Sequence, residues 1–180
     1  MGDYDIRWRI HTILWAALHS SKLEGDFVDC GGGFGFFMSS IYSYLNFESL
    51  NKKYYMLDSF QGTHPNHGIN HFSRLGDWYE DVLKNHGNKK NLKIIKGYIP
   101  ETLNQIDSNK ISFLSIDLNS ASPEIDCLNM LWDRIVNNGL IIFDDYGFSN
   151  DQRNAHNDFA KSKGLSIMSS PTGQGILIKI

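Results

Sequence analysis

The spacing of apolar positions changes period several times along the chain, and each change marks an element. From Asp5 to Leu23, apolar residues fall at Ile6, Ile10, Ile13, Leu14, Ala17 and Leu18, a helical stripe. Trp8 and Trp15 broaden that face, which predicts a helix with its aromatic side buried on the core or forming part of a ligand-site wall. Gly25 to Asp29 reads as a first strand. Phe36 to Leu45 then reads as a helix whose aromatic content predicts burial on most sides. Further strands are expected at Tyr54 to Asp58, Leu92 to Lys96, Ile111 to Asp117 and Leu140 to Asp145. Helices are expected at Trp78 to His86, just after Gly97 with Pro100 in the first turn, at Pro123 to Val136, and at Asn150 to Lys163 closed by Gly164. Asn137-Asn138-Gly139 supplies a stop signal for the helix before it.

Strand and helix alternate over the first five units, the pattern of a parallel sheet with helices on both faces. The end of the chain breaks the rhythm. Leu165 to Ser169 and Gly175 to Ile180 are strand-like but only about five residues apart, whereas a parallel crossover needs a dozen or more. They must form an antiparallel hairpin, turned at Pro171-Thr172-Gly173-Gln174. No repeat, linker or low-complexity tract interrupts the sequence. One domain over residues 1–180 is expected, with 1–24 as an N-terminal helix packed on its core.

Charge and cysteine usage narrow the function classes. With 17 basic and 20 acidic residues the net charge is −3, which offers no electrostatic case for a nucleic-acid or membrane-surface partner. The two cysteines, Cys30 and Cys127, show no CxxC spacing, so neither a disulfide framework nor a zinc site is indicated. The apolar run Ile10 to Leu18 is too short to span a bilayer, and no secretory leader pattern opens the chain. A cytoplasmic location is the expectation. His64, His67, His71 and His86 match no zinc spacing.

The candidate chemistry lies at the strand ends. The first strand runs into Asp29-Cys30-Gly31-Gly32-Gly33-Phe34-Gly35, with four glycines in the five positions 31–35. Such a turn before a helix brings backbone close to a cofactor, or makes a tight connection with no ligand. The other strands end in Asp58, Asp117 and Asp144-Asp145. Ligands of open parallel sheets bind beyond these carboxyl ends, and so much negative charge on one edge is costly unless offset. Asp58, ending the second strand, suits the acid that accepts ribose hydroxyls. A GxGxxG dinucleotide fingerprint would need its third glycine where Phe36 stands.

With these features the sequence resembles class I S-adenosylmethionine-dependent methyltransferases, and more closely the macrocin O-methyltransferase-like family. The resemblance rests on Asp29 to Gly35, Leu57-Asp58-Ser59-Phe60-Gln61-Gly62, Gly97-Tyr98-Ile99-Pro100-Glu101-Thr102-Leu103, Phe113-Leu114-Ser115-Ile116-Asp117 and Phe143-Asp144-Asp145-Tyr146-Gly147, and Asn154-Ala155 and Phe159-Ala160 also fit. It implies an α/β fold, three-layer and doubly wound, with a mostly parallel seven-stranded sheet and a C-terminal antiparallel hairpin. It further implies Mg²⁺-dependent methyl transfer from S-adenosylmethionine to a hydroxyl of a sugar or glycosylated small metabolite. Asp29, Gly31, Gly33, Gly35, Asp58, Ser59, Gly97, Tyr98 and Asp117 would bind the cofactor. Asp117, Asp144 and Asp145 would hold the metal, both members of the adjacent pair only if the strand has ended there.

The general base stays open. Catechol-type relatives carry a lysine three residues after the strand-four aspartate, where this chain has Ser120, leaving Asp117 or His156 as candidates. The stretch ahead of the first motif is short for the family, so an N-terminal lid or dimerisation segment is expected to be reduced. The loop from Ser59 to Trp78, with Phe60, His64, His67, His71 and Phe72, is the expected substrate cover. A homo-oligomer is left open. The competing readings are a nicotinamide-dependent oxidoreductase, against which the missing glycine and the hairpin count, and a non-catalytic binding module.

Overall fold

The computed structural model describes residues 7–62 and 76–180. Its seven strands form one sheet in the order β3-β2-β1-β4-β5-β7-β6. These are β1 (Asp26–Cys30), β2 (Tyr54–Asp58), β3 (Leu92–Lys96), β4 (Ile111–Ile116), β5 (Ile135–Phe143), β6 (Met168–Ser169) and β7 (Gly175–Ile178). The first five pair in parallel; β7 runs antiparallel to both β5 and β6. Strand order reverses between β1 and β4, which places the switch point beside the glycine turn. The three-layer α/β architecture and the terminal hairpin are therefore as expected.

Alternation along the strands explains the layers. Phe27, Tyr54, Met56, Phe113, Leu140 and Ile142 point to one face, where α1 (Arg7–Ser20) and α2 (Phe36–Leu45) add Ile13, Ala16, Ala17, Met38 and Ile41, and α3 (Tyr79–His86) adds Val82. Val28, Cys30, Tyr55, Leu57, Leu114, Ile116, Ile141 and Phe143 point to the other, under α4 (Ala121–Leu131) and α5 (Asn150–Ser162). Among the described residues, no helix is long and apolar enough to cross a membrane. Both cysteines are free and buried.

Several expectations change. The tryptophans of α1 do not face the core. Trp8 is 67% and Trp15 48% exposed. The helix buries Thr12, Ile13, Ala16, Ala17 and Ser20 instead, a face of mainly small side chains that seats it close against its neighbours. Nor is α2 buried on most sides, since Phe36 and Tyr44 are about half exposed. The helix predicted from Pro123 to Val136 stops earlier, at Leu131, and a single 3-10 turn over Trp132–Arg134 leads into β5 at Ile135. Asn137-Asn138-Gly139 is thus no helix stop but an irregularity inside the strand, where the β4–β5 register jumps from Ile111↔Ile135 to Phe113↔Leu140. The short helix expected at Pro100 is a turn, followed by a 3-10 segment at Leu103–Gln105.

Candidate functional site

A cleft opens at the carboxyl edge of the sheet, over the switch point. It is lined by Gly31, Gly33, Phe34, Asp58, Ser59, Gly62, Trp78, Gly97, Tyr98, Ile99, Asp117, Leu118, Asn119 and Pro123. Seven of the nine expected cofactor residues are among them. The other two, Asp29 and Gly35, do not line it. Gly35 is the left-handed residue that starts α2, packed so that an added Cβ would stand 3.1 Å from the His86 ring.

The glycines divide their work. Gly31 has φ +94°, and a Cβ there would lie 1.8 Å from the Asp117 carbonyl oxygen. Its close approach is therefore to the end of β4. The contact is fixed by the Gly31 N–H donating to Leu57 O (2.8 Å) and the Asp117 N–H donating to Cys30 O (2.8 Å). Gly33, with φ +52°, would meet nothing within 4 Å, so its bare face looks into open space at the cleft.

Asp58 braces the turn from the next strand. Its Oδ2 accepts the Gly33 N–H at 2.8 Å and its Oδ1 the Phe60 N–H at 2.6 Å. Burial pushes this carboxyl up from its ordinary value, partly countered by those two N–H groups. Each oxygen keeps a lone pair for a further donor in the cleft.

Asp29 lies beneath the turn, 2% exposed, on the sheet face that also carries Tyr54. The Tyr54 hydroxyl donates to its Oδ2 at 3.2 Å. Burial, above all, raises its pKa to about 7, with Asp58 and Asp144 adding repulsion.

The strand-four and strand-five acids are drawn together, as their strand ends predict. Asp117 lines the cleft, and burial raises its pKa well above the ordinary value, reinforced by Asp144 and Asp145. Strand β5 ends at Phe143, so Asp144 and Asp145 are not held to opposite faces. Both reach one partner, Arg9 of α1. Its Nη1 donates to Asp144 Oδ2, and its Nη2 donates to Asp145 Oδ1 at 3.3 Å. The remaining Asp144 oxygen accepts from Gln174 Nε2 at 2.8 Å. Burial raises the Asp144 pKa to about 6, with Arg9 as the main opposing influence.

With Arg9 seated, this donor set does not suit the expected metal. Among the described residues, no group of three or more His, Cys, Asp or Glu side chains is arranged to hold an ion. Both Asp144 oxygens are engaged, and a guanidinium already offsets one of the pair's two negative charges.

His156, the other candidate base, stands outside the cleft lining and is 1% exposed. Its Nε2 lies 2.8 Å from Glu124 Oε2, and its ring stacks on Phe143 at 4.1 Å between centroids. Glu124 Oε1 in turn accepts from Gln152 Nε2 (2.8 Å) and from the Leu118 N–H (3.2 Å). This buried cluster fixes the segment after β4 that carries Leu118 and Asn119 into the cleft.

Sequence reasoning missed Phe34 and Trp78, whose rings stack at 5.2 Å and 25° on the cleft rim. A tryptophan at the end of a polar loop was the available signal. Phe60, expected in a substrate cover, is instead fully buried in the core. His64, His67, His71 and Phe72 lie outside the described residues.

Comparisons with known proteins agree with this geometry. No curated protein matches the chain in sequence. Among solved structures, the O-methyltransferase NovP superposes with a TM-score of 0.78 at 17% identity, over 95% of this chain and 79% of that one. CalS11, a TDP-rhamnose 3′-O-methyltransferase of calicheamicin biosynthesis, gives 0.71 at 11% identity, over 95% and 78%. The Podospora anserina methyltransferase PaMTH1, solved with SAH bound, gives 0.64 at 14%, over 100% and 80%. At these identities the likeness speaks for a shared class I methyltransferase fold. The profile described as Macrocin-O-methyltransferase (TylF) matches residues 9–170, nearly the whole chain, and the chain therefore belongs to the macrocin O-methyltransferase family.

Proposed function

We propose that the chain transfers a methyl group from S-adenosylmethionine to a hydroxyl of a sugar or glycosylated small metabolite. The observation that carries this reading is the pairing of Asp58 with the glycine turn at the cleft, next to the open face of Gly33. Asp58 has lone pairs for ribose hydroxyls. Trp78, Ile99, Leu118 and Pro123 give the cleft apolar walls for the adenine, and the acid-rich edge suits a positively charged sulfonium. When bound, the cofactor supplies a methyl on a cationic sulfur, which becomes a neutral thioether once the methyl has moved to oxygen.

Asp117 is the carboxyl placed to take the acceptor's proton. It lines the cleft, and its raised pKa makes it a better proton acceptor than an ordinary carboxylate. His156 does not line the cleft, and through Glu124 it serves as a positioning group for the segment after β4. The Mg²⁺ expectation is not carried into this reaction, because Arg9 and Gln174 hold Asp144. NovP and CalS11, as an O-methyltransferase and a sugar O-methyltransferase, support a sugar hydroxyl as acceptor, and SAH-bound PaMTH1 supports the cofactor. Family membership sets aside the nicotinamide alternative. A small-molecule partner and a reducing, cytoplasmic setting fit the narrow cleft, the net charge of −3 and the two buried free thiols.

Isothermal titration with S-adenosylmethionine tests the cofactor assignment. Charge-assisted hydrogen bonds are worth about 1.5–3 kcal/mol each, so Asp58→Ala should weaken binding by at least ~10-fold. Asp58→Asn, which keeps one acceptor oxygen for the turn, should fall between. Equal affinity in wild type and Asp58→Ala would remove the assignment.

A further inference from the structure

The acids at the end of β5 are served by a cation that belongs to the chain itself. Arg9 projects from α1, 135 residues away in sequence from Asp144, and is only 17% exposed in its side chain. Its guanidinium spans both carboxylates, and its Cζ stands 4.8 Å from the centroid of the Phe148 ring. All three partners lie in the segment that joins β5 to α5. The geometry has a simple origin. Leu140 and Ile142 face the side of the sheet that α1 covers, and Asp144, the first residue past the end of β5, meets Arg9 on that side. Asp144 is 3% exposed, and a carboxylate buried so deeply needs a counter-charge.

A planar guanidinium and a small divalent ion are alternative solutions to that need. Mg²⁺ demands several oxygen ligands in near-octahedral array, and its carboxylate ligands must offer it free lone pairs. The fork of Arg9 uses those lone pairs on Asp144 and Asp145. We propose that Arg9 is a tethered cation that competes with divalent metal for the two acids that follow β5, Asp144 and Asp145, and that it latches α1 onto the active edge while it is seated. Metal entry at Asp144 requires Arg9 to leave. Arginine stays charged at every pH at which the fold survives, so the competition is set by metal concentration and by the hold of α1.

Titration of the purified protein with MgCl₂, followed by isothermal calorimetry and thermal shift, tests this. It needs neither methyl donor nor acceptor, so its outcome is separable from that of the methyl-transfer reading. Arg9→Gln should bind Mg²⁺ at least ~10-fold more tightly than wild type, and adding Asp145→Asn should cancel the gain. Arg9→Lys keeps the charge but not the fork, and should show a smaller gain. It also serves if the glutamine variant fails a circular-dichroism check of folding. Equal Mg²⁺ affinity in wild type and the folded Arg9 variants, or binding by none of them, overturns the proposal.

Discussion

Asp29 makes stability depend on pH in an unusual direction. Its pKa rises from 3.8 to about 7 on folding, with burial the chief cause. Between those values the folded state holds a proton that the unfolded chain has released. Folding stability must therefore fall as pH rises from about 4 to 7, and stay at its lower level above that. Each unit of pKa shift is worth about 1.4 kcal/mol, so roughly three units give up to about 4 kcal/mol. Asp29→Asn removes the titrating group, and its amide oxygen can still accept from Tyr54. The variant should differ least from wild type at about pH 4 and below, and gain stability over it progressively toward pH 8. Urea unfolding by circular dichroism at half-unit pH steps measures this as a difference between the two proteins, in which the other raised carboxyls largely cancel. A wild-type-minus-variant difference that stays flat from pH 5 to 8 would refute the reasoning.

Two further outcomes follow from the same geometry. Gly31→Ala should fail to accumulate as folded protein, because its Cβ would strike the Asp117 carbonyl at 1.8 Å, whereas Gly33→Ala should fold and lose S-adenosylmethionine affinity; soluble yield and calorimetry separate the two. Glu124→Ala leaves His156, the Gln152 amide and the Leu118 N–H without their shared partner in a buried site. A buried polar group left unpaired costs about 1–3 kcal/mol and several lose their partner here, so the melting temperature should drop on the order of 10 °C; a drop under about 2 °C contradicts the role given to the cluster.

Period and strand-end acids carried most of the fold, because a buried parallel strand is a short apolar run and cannot easily read as anything else. The hairpin was legible from loop length alone. What was not legible depended on partners remote in sequence. Nothing local tells Trp15 that Ala16 and Ala17 offer the closer packing face. Nothing local tells Asn138 that it will sit in a strand and donate its N–H to Lys179 O. The site shows the same division. The glycine turn, Asp58 and Asp117 could be placed because each sits at a strand end, and strand ends share one edge. Arg9 could not, since its meeting with Asp144 requires knowing which sheet face α1 covers. His156 read as a candidate base because Glu124, the buried neighbour 2.8 Å from its Nε2, comes from another helix.

The position of β7 has a consequence for synthesis. It lies between β5 and β6, pairing Leu140 to Phe143 with Ile178 to Gly175, and the turn before it supplies Gln174 to Asp144. A ribosome releases residues 174–178 after every other part of the site has emerged. Until then β5 is an open sheet edge of apolar residues, and Asp144 lacks one of its two partners. A nascent chain stalled before this point would expose an aggregation-prone border, so the interval before β7 docks is the one in which the growing polypeptide most needs chaperone cover.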